Sequence, residues 1–396
     1  MRYRQLGSTG IKVSALGLGC MRLPTQRLRL QKIDVPKAIE LIRSSVDMGI
    51  NYIDTGWPYH FGESERVLGE ALREGYRERV HLVTKLPMFV VRKESDFDRF
   101  LDRQIEKLQT DHLDTYLFHG LNAGSFDKLK RLGLMERMLA ARNDGRVGHI
   151  GFSFHDTLPV FKSIVDFYDW DIVQIQYNYM DTAIQATTEG LQYAAAKGMG
   201  VVIMEPLKGG KLANPPAEAL RIMRESGIHR SPVDWALQFL WNLREVSVVL
   251  SGMGNMNMLK ENCKSADRSG IGTLSATELD TISSLTEIFR STMLVPCTAC
   301  HYCMPCPEGV NIPKNLAIFN NMHAKKSPVY RWRIKRSYLA LADKKKNLDT
   351  ERTNGRATMC TNCGACIPKC PQSIRIPEEL RKIDAFVRHG KGDDPQ

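Results

Sequence analysis

The sequence predicts an α/β protein: a (β/α)8 TIM barrel of parallel strands, followed by a small, mainly helical domain with many cysteines. Two observations predict the barrel. Apolar strand-like runs alternate with amphipathic helical stretches as far as residue 290, and eight such runs occur, the number that closes a parallel barrel. The second domain is predicted because most of the ten cysteines follow residue 296. A chain of 396 residues with 43% hydrophobic content can bury both cores.

We expect a hairpin at the N-terminus, where Gly7 and Gly10 accompany alternating apolar residues. The predicted barrel strands are 14–19, 52–54, 80–85, 115–119, 149–153, 172–176, 200–204 and 246–251. The predicted helices are 37–48, 64–73, 97–108, 128–142, 183–196, 232–241 and 276–290. An open, doubly wound sheet has the same alternation, but no Gly-x-Gly-x-x-Gly fingerprint follows the first strand, so a barrel is favoured.

The composition changes where the last predicted helix ends, which predicts one domain at 1–290 and a second at 291–396. The second segment holds 18 Lys and Arg against 9 Asp and Glu, a net charge of +9, whereas the first 290 residues carry +2. The N-terminus lacks an apolar signal core, and nowhere do about 18 apolar residues run together. These features predict a cytoplasmic protein with no membrane partner.

Four polar residues stand near the carboxyl ends of successive predicted strands: Asp54 and Tyr59 after the second, Lys85 at the third and His119 at the fourth. Active sites of this barrel lie at that face. A buried Lys85 beside Tyr59 would lower the pKa of the phenol and make it a usable proton donor, while Asp54 keeps the lysine charged. Taken singly, a strand-end Lys or His is more often structural, so the four carry weight only together.

These residues sit within segments that resemble the aldo-keto reductase family: Asn-Tyr-Ile-Asp-Thr-Gly-Trp-Pro-Tyr at 51–59, Gly-Glu-Ser-Glu at 62–65, Thr-Lys at 84–85 and Phe-His at 118–119. The resemblance covers residues 1–290. It implies an oxidoreductase that interconverts a carbonyl and an alcohol on a small aldehyde, ketone or alcohol substrate. It also implies that Tyr59 is the general acid, that Lys85 and Asp54 tune it and that His119 positions the carbonyl.

The same resemblance implies a nicotinamide cofactor, NAD(H) or NADP(H). The amide contacts it implies are Ser153 and Gln176, and the pyrophosphate and adenosine side is implied at Glu205, Leu207, Gly209, Lys211, Ser251, Gly252, Met253, Glu261 and Asn262. Relatives that prefer NADP carry basic residues near the start of the last helix. Here Asn255 and Met258 occupy that stretch and leave Lys260 alone, so NADH stays open, as does a flavin.

The cysteines after residue 296 form two groups with metal-ligand spacing. The second, Cys360, Cys363, Cys366 and Cys370 followed by proline, has the spacing of the bacterial ferredoxin run that ligates 4Fe–4S clusters. The first, Cys297, Cys300, Cys303 and Cys306 followed by proline, is one residue shorter before its last cysteine. The resemblance to two-cluster ferredoxins implies two 4Fe–4S clusters, with the fourth cysteine of each group on the other cluster. Zinc is the alternative, although three consecutive thiolates plus a distant Cys-Pro suit a cubane better.

The segment 324–356 between the two groups is strongly basic, with charges at Arg331, Arg333, Lys335, Arg336, Lys344, Lys345 and Lys346. It is interpreted either as a solvated helical face or as a docking surface for an acidic electron-transfer protein. No motif typical of nucleic-acid binding occurs. The leading hypothesis is therefore a reductase whose clusters exchange electrons with a partner. The alternative is a non-catalytic, redox-sensing barrel with structural clusters.

Overall fold

The computed structural model describes residues 1–26, 29–324, 328–342 and 354–389. Its strands are β1 (Tyr3–Gln5), β2 (Lys12–Ser14), β3 (Leu16–Gly19), β4 (Thr25–Gln26), β5 (Arg29–Ile33), β6 (Tyr52–Asp54), β7 (His81–Leu86), β8 (Leu113–Leu121), β9 (Val147–Phe154), β10 (Ile172–Gln176), β11 (Gly200–Met204) and β12 (Val246–Ser251). Lys344, Lys345 and Lys346 of the predicted basic segment lie outside the described residues.

Helices follow most of the strands. They are α1 (Val35–Asp47), α2 (Ser64–Ala71), α3 (Asp96–Leu108), α4 (Ala123–Arg131), α5 (Leu134–Asn143), α6 (Leu158–Val165), α7 (Thr187–Ala196), α8 (Ala217–Glu225), α9 (Pro232–Trp241), α10 (Met256–Asp267), α11 (Ala276–Thr292), α12 (Ile312–Ala324), α13 (Pro328–Leu339) and α14 (Ile376–His389). Among the described residues, no helix is both long and apolar enough to cross a membrane.

Eight parallel strands close into the predicted barrel. Their order is β3, β6, β7, β8, β9, β10, β11 and β12, and β12 pairs back onto β3 through Val249 and Leu16. Since parallel neighbours are joined by crossovers and not by tight turns, each intervening helix packs on the outside of the sheet. The barrel prediction is thus confirmed, and the carboxyl ends of all eight strands meet at one face.

The N-terminal hairpin pairs β1 with β2, as predicted. Its Leu6 and Val13 are fully buried and cluster with inward side chains of the barrel, among them Tyr52 and Leu117. The predicted strand 14–19 is divided in the structure, because Ser14 ends the hairpin and the barrel strand begins at Leu16.

One predicted helix, 128–142, is two helices in the structure. Gly133 adopts φ 60°, a left-handed conformation that ends a helix readily because glycine has no Cβ. Helix α4 therefore stops at Arg131 and α5 starts at Leu134. Similarly, α7 begins at Thr187, later than predicted, because the chain at Gln185 takes φ 55° and is not helical.

Two compact units divide the chain. The first comprises residues 1–207 and 233–279, and the second comprises 208–232 and 280–396. The first unit holds the barrel and its main core. The second has its own apolar cluster, in which Val310, Leu316 and Ile383 are buried and six of the C-terminal cysteines pack around them. Residues 208–232, which follow β11, belong to this second unit.

A buried histidine near the amino end of β7 leads to a prediction about stability. His81 stacks on Tyr52 with ring centroids 5.5 Å apart, and its Nε2 lies 2.7 Å from Oγ1 of Thr115. Burial lowers the pKa of His81 to about 4. Between pH 6.5 and 4 the histidine is therefore more protonated in the unfolded state than in the folded state. The contribution of His81 to the free energy of unfolding is fully present above pH 6.5 and is lost as the pH falls toward 4.

We expect His81→Gln to flatten this pH dependence by at most about 3 kcal/mol, since one unit of pKa shift corresponds to about 1.4 kcal/mol. The measurement is urea unfolding at pH 7 and pH 4.5, followed by the fluorescence of the barrel tryptophans. His112, whose side chain is 46% exposed, provides the control variant His112→Gln. Equal pH dependence in the wild type and His81→Gln would contradict the assignment.

Candidate functional site

The four predicted catalytic residues come together at the carboxyl ends of β6, β7 and β8. Asp54 ends β6, Lys85 lies one residue before the end of β7 and His119 lies near the end of β8. Nζ of Lys85 donates to both carboxylate oxygens of Asp54 at 2.7 Å and to the carbonyl of Thr55 at 2.6 Å. Its distance to the Tyr59 hydroxyl is 3.4 Å.

Lys85 is only 1% exposed, so its charge depends on these oxygens for stabilisation. An ammonium group removed from water is costly unless anionic or carbonyl oxygens surround it. Burial raises the pKa of Asp54, whereas the charge of Lys85 and a hydrogen bond from Gln174 lower it. The pKa of Asp54 therefore lies above its usual value, and the contact with Lys85 offsets part of the effect of burial.

His119 faces Tyr59, with ring centroids 6.0 Å apart and the planes nearly perpendicular. Burial lowers the pKa of His119 well below its usual value, and the positive charge of Lys85 and the neighbouring His155 lower it further. The imidazole is thus neutral near pH 7. A neutral ring in this place can donate or accept a hydrogen bond but supplies no charge.

The turn that carries Tyr59 has an unusual backbone. His60, Phe61 and Gly62 follow with φ values of 51°, 56° and 87°, all left-handed. Such a conformation costs about 1–3 kcal/mol at each non-glycine residue and persists only where surrounding contacts impose it. Here Nζ of Lys107 donates to the Gly62 carbonyl at 3.0 Å and lies 4.1 Å from the centre of the Trp57 ring.

Gln174 is a site residue that sequence analysis missed. It is 2% exposed and hydrogen-bonds Asp54 from β10. The signal was present, because alternate residues of a strand point to the same side and Gln174 is two positions before the predicted Gln176. Sequence analysis also missed Gln104 on α3, which contacts the backbone of Lys85. The Gln104 amide donates to the Lys85 carbonyl at 3.1 Å and also to Glu65.

Ser153 and Gln176, the two residues predicted to contact the amide group of a nicotinamide, lie on adjacent strands. Ser153 on β9 accepts a hydrogen bond from the Gly120 amide at 2.8 Å. Gln176 at the end of β10 donates to Asp181 at 2.9 Å and accepts from Gln185 at 3.3 Å. These partners fix the orientation of the Gln176 amide.

The predicted residues after β12 are partly brought together. Asn262 on α10 donates to the Ser251 hydroxyl at 2.9 Å, and Met253 is buried nearby in the same loop. Glu261 is exposed on α10. A Cβ added to Gly252 would lie 2.9 Å from the stem of Arg22, so this basic residue, which sequence analysis missed, passes directly over the loop.

The remaining predicted cofactor residues follow β11 and fall into both units. Glu205 and Leu207 belong to the first unit, whereas Gly209 and Lys211 belong to the second. The Glu205 carbonyl accepts from the Asn178 amide at 3.0 Å. The Nζ of Lys211 donates to the Val295 carbonyl at 3.5 Å, within the second unit.

The C-terminal thiols form two sets in space, and these differ from the two groups in sequence. The first thiol set is Cys297, Cys300, Cys303 and Cys370, which line one cavity together with apolar residues such as Leu316, Ile374 and Ile376. Burial raises the pKa of Cys303, and its neighbours Cys300, Cys297 and Cys370 raise it further.

The second thiol set is Cys306, Cys360, Cys363 and Cys366. Burial, together with the charges of the other three members, raises the pKa of Cys366 to about 11. Each set thus combines three closely spaced cysteines with one from the other sequence group. Soft thiolate ligands in a partly apolar setting suit an iron–sulfur cluster.

The family model described as the aldo/keto reductase family matches residues 15–287. The chain belongs to this family. A model described as a 4Fe–4S dicluster domain matches residues 296–375, so this aldo/keto reductase carries a 4Fe–4S domain after its barrel.

Several known proteins are similar to this reductase. L-galactose dehydrogenase of Arabidopsis thaliana is 26% identical over 285 residues, which are 66% of this chain and 87% of the relative. The NADH-specific methylglyoxal reductase of Escherichia coli is 27% identical, over 54% of this chain and 69% of the relative. Among solved structures, the holo form of aldo-keto reductase AKR11C1 from Bacillus halodurans has a TM-score of 0.60 and 26% identity, covering 72% of this chain and 96% of that one.

Proposed function

We propose that the barrel reduces a small aldehyde or ketone to the alcohol, or runs the reverse reaction, with a nicotinamide cofactor. The observation that carries the proposal is the buried contact of Lys85 with Asp54 and Tyr59 beside His119. This arrangement supplies a proton at one defined atom, the Tyr59 oxygen, among buried side chains. The similarity to an L-galactose dehydrogenase and to a methylglyoxal reductase supports the same class of substrates.

In the reduction, Tyr59 donates its phenolic proton to the oxygen of the substrate carbonyl. Lys85 stabilises the phenolate that remains, because its ammonium group lies 3.4 Å from that oxygen. Asp54 and the Thr55 carbonyl keep Lys85 in place and charged. His119, held neutral by burial, orients the carbonyl by a hydrogen bond without competing for the proton.

A bound nicotinamide supplies the hydride that the carbonyl carbon requires. Ser153 and Gln176 would hold its amide, since both are buried polar groups at the carboxyl ends of adjacent strands. Ser251, Gly252, Met253 and Asn262 fit the adenosine side, where the aliphatic stem of Arg22 passes next to Gly252. Glu205, Leu207, Gly209 and Lys211 would bind the pyrophosphate, and Glu261 the adenosine.

We further propose two 4Fe–4S clusters, one in each thiol set, that exchange electrons with an acidic protein partner. The crossed membership of the two sets supports this ligation. The charge of +9 in residues 291–396 supports an acidic partner, because transient electron-transfer complexes depend on complementary charge. We also propose that the domain boundary lies between residues 290 and 291 and that the protein is cytoplasmic.

The decisive experiment is anaerobic purification, followed by the visible spectrum, iron and sulfide analysis, and identification of the extracted organic cofactor. We expect about eight irons per chain. Turnover is then tested with NADH and NADPH on a panel of small aldehydes and ketones. No turnover of any carbonyl or alcohol, in a protein with both clusters loaded, would reject the proposed reaction.

The start of α10 leads to a prediction about cofactor preference. Met258 is 48% exposed, and its N–H donates to the capping side chain of Asn255. The first turn of α10, residues 256–259, contains no lysine or arginine. We expect NADH to bind at least as tightly as NADPH. Met258→Arg should tighten NADPH about tenfold and leave NADH nearly unchanged, because a guanidinium pairs with the additional phosphate.

Fluorescence titration of both dinucleotides measures this preference. Ile271→Arg is the matched control, since it converts another exposed apolar side chain to arginine outside the predicted cofactor site. A clear preference of the wild type for NADPH would refute the prediction and would make Arg22 the first residue to test as the source of the missing cation.

A further inference from the structure

The turn after β11 packs directly on the segment that contains Cys297, a member of the first thiol set. Gly209 has φ 66°, and a Cβ added there would lie 2.2 Å from the carbonyl oxygen of Thr298 and 2.9 Å from its Cα. Backbone atoms cannot yield as a flexible side chain can. Only glycine therefore permits this approach, and both segments belong to the second unit.

The peptide group that meets Gly209 also contacts a cluster ligand. Its carbonyl is that of Thr298, and its N–H, that of Ala299, donates to Sγ of Cys297 at 3.4 Å. A peptide group is planar, so its two ends cannot move independently. The position of the Cys297 sulfur is thereby coupled to the carbonyl on which Gly209 rests.

The loop between the first cysteines is also strained. Ala299 and His301 have φ values of 52° and 65°, which non-glycine residues adopt only where other contacts impose them. Cys297, Cys300 and Cys303 alternate with these residues and line one cavity. Bonds from three thiolates to one cluster would supply that constraint, and their loss would allow the loop to relax.

A second contact connects the same two segments. The carbonyl of Val295 accepts from Nζ of Lys211 at 3.5 Å and from the Asn320 amide at 2.8 Å, while the Val295 N–H donates to Asn320. Asn320 lies on α12, whose Leu316 lines the cavity of the first thiol set. Two residues of the turn Lys208–Lys211, Gly209 and Lys211, thus contact the segment that contains Cys297.

We propose that Thr298 and Val295 are positioning residues for the turn Lys208–Lys211, and that the cluster in the first thiol set thereby sets the affinity for the dinucleotide. This rests on the proposed function, in which Gly209 and Lys211 bind the pyrophosphate. Without the cluster, the strained loop relaxes and the Thr298 carbonyl leaves Gly209. The turn then loses the support that fixes its amides and Lys211, and the dinucleotide must pay for ordering them.

The test compares Gly209→Ala with Gly227→Ala in the full-length, anaerobically reconstituted protein. Gly227 is the matched control, because it belongs to the same unit, has φ 71° and would have no atom within 4 Å of its added Cβ. We expect Gly209→Ala to weaken dinucleotide binding about tenfold or more and to alter the EPR signal of one cluster. Gly227→Ala should change binding by no more than about twofold.

Cys300→Ala tests the same proposal without a steric clash. It removes a ligand of the first thiol set only, and the retained EPR signal of the second cluster reports that the domain is folded. We expect the same loss of dinucleotide affinity. Affinity equal to the wild type in Cys300→Ala, with one cluster lost, would overturn the inference while leaving the proposed function intact. A wild-type protein with both clusters and no affinity for either dinucleotide would instead reject the proposed function itself.

Discussion

Tyr59→Phe should lower the turnover of carbonyl reduction by about 10²–10⁴-fold, the usual contribution of a positioned general acid. The substitution removes one oxygen, which lies 3.4 Å from Nζ of Lys85, and keeps the ring that packs against His119. Packing and folding are therefore retained while the proton donor is lost. The measurement is steady-state reduction of a small aldehyde together with dinucleotide binding by fluorescence.

Dinucleotide affinity in Tyr59→Phe should stay close to that of the wild type, so that the loss appears in turnover. Tyr193→Phe is the matched control, because it removes the same atom from a partly buried tyrosine on α7 whose hydroxyl donates to Asp166. Turnover of Tyr59→Phe within a few-fold of the wild type would show that the proton comes from elsewhere, and the roles proposed for Lys85 and Asp54 would fall with it.

Much of the barrel could be predicted because its signals are local. Strands β6, β10, β11 and β12 have the bounds that the apolar runs predict. A parallel strand buried on both faces is read as one apolar run, and turn residues mark its ends. The juxtaposition of Asp54, Tyr59, Lys85 and His119 could be predicted from the same pattern, since residues at strand ends must meet at one face of a closed barrel.

The errors and omissions concern interactions between distant segments. Because glycine occurs inside many helices, the sequence around Gly133 does not show that this residue divides one predicted helix into two. Nor does the sequence indicate that Arg22 passes over Gly252, more than two hundred residues away. Such contacts depend on the closed barrel, which brings together the loops that follow its first and last strands.

The membership of the two compact units also depends on contacts between distant segments. Composition changes near residue 290, which motivates the predicted boundary there. Residues 208–232, however, pack with the C-terminal segment although they follow a barrel strand. The contact of Gly209 with Thr298 spans 89 positions along the chain and involves backbone atoms only, so no pattern of side chains could have predicted it.

Cys370→Ala should remove the cluster of the first thiol set, although Cys370 belongs to the second cysteine group in sequence. Cys370 lines one cavity with Cys297, Cys300 and Cys303, and the same cavity is lined by apolar residues such as Leu316 and Ile374. Loss of one of four thiolates leaves an iron without its protein ligand and exposes the cluster to degradation. The reciprocal variant, Cys306→Ala, should affect the cluster bound by Cys360, Cys363 and Cys366.

Iron counts and low-temperature EPR of the anaerobic protein measure both outcomes. We expect each variant to keep about four irons and one cluster signal, and the two remaining signals to differ, because the surviving cluster differs. Cys263→Ala, which alters a buried cysteine on α10, should keep both clusters. Crossed ligation would join segments that are more than fifty positions apart, so each cluster would stabilise the small second domain as a covalent cross-link does. If Cys306→Ala and Cys370→Ala each removed the cluster of their own sequence group, the shorter spacing before Cys306 would reflect ligation within that group, and the crossed assignment would be wrong.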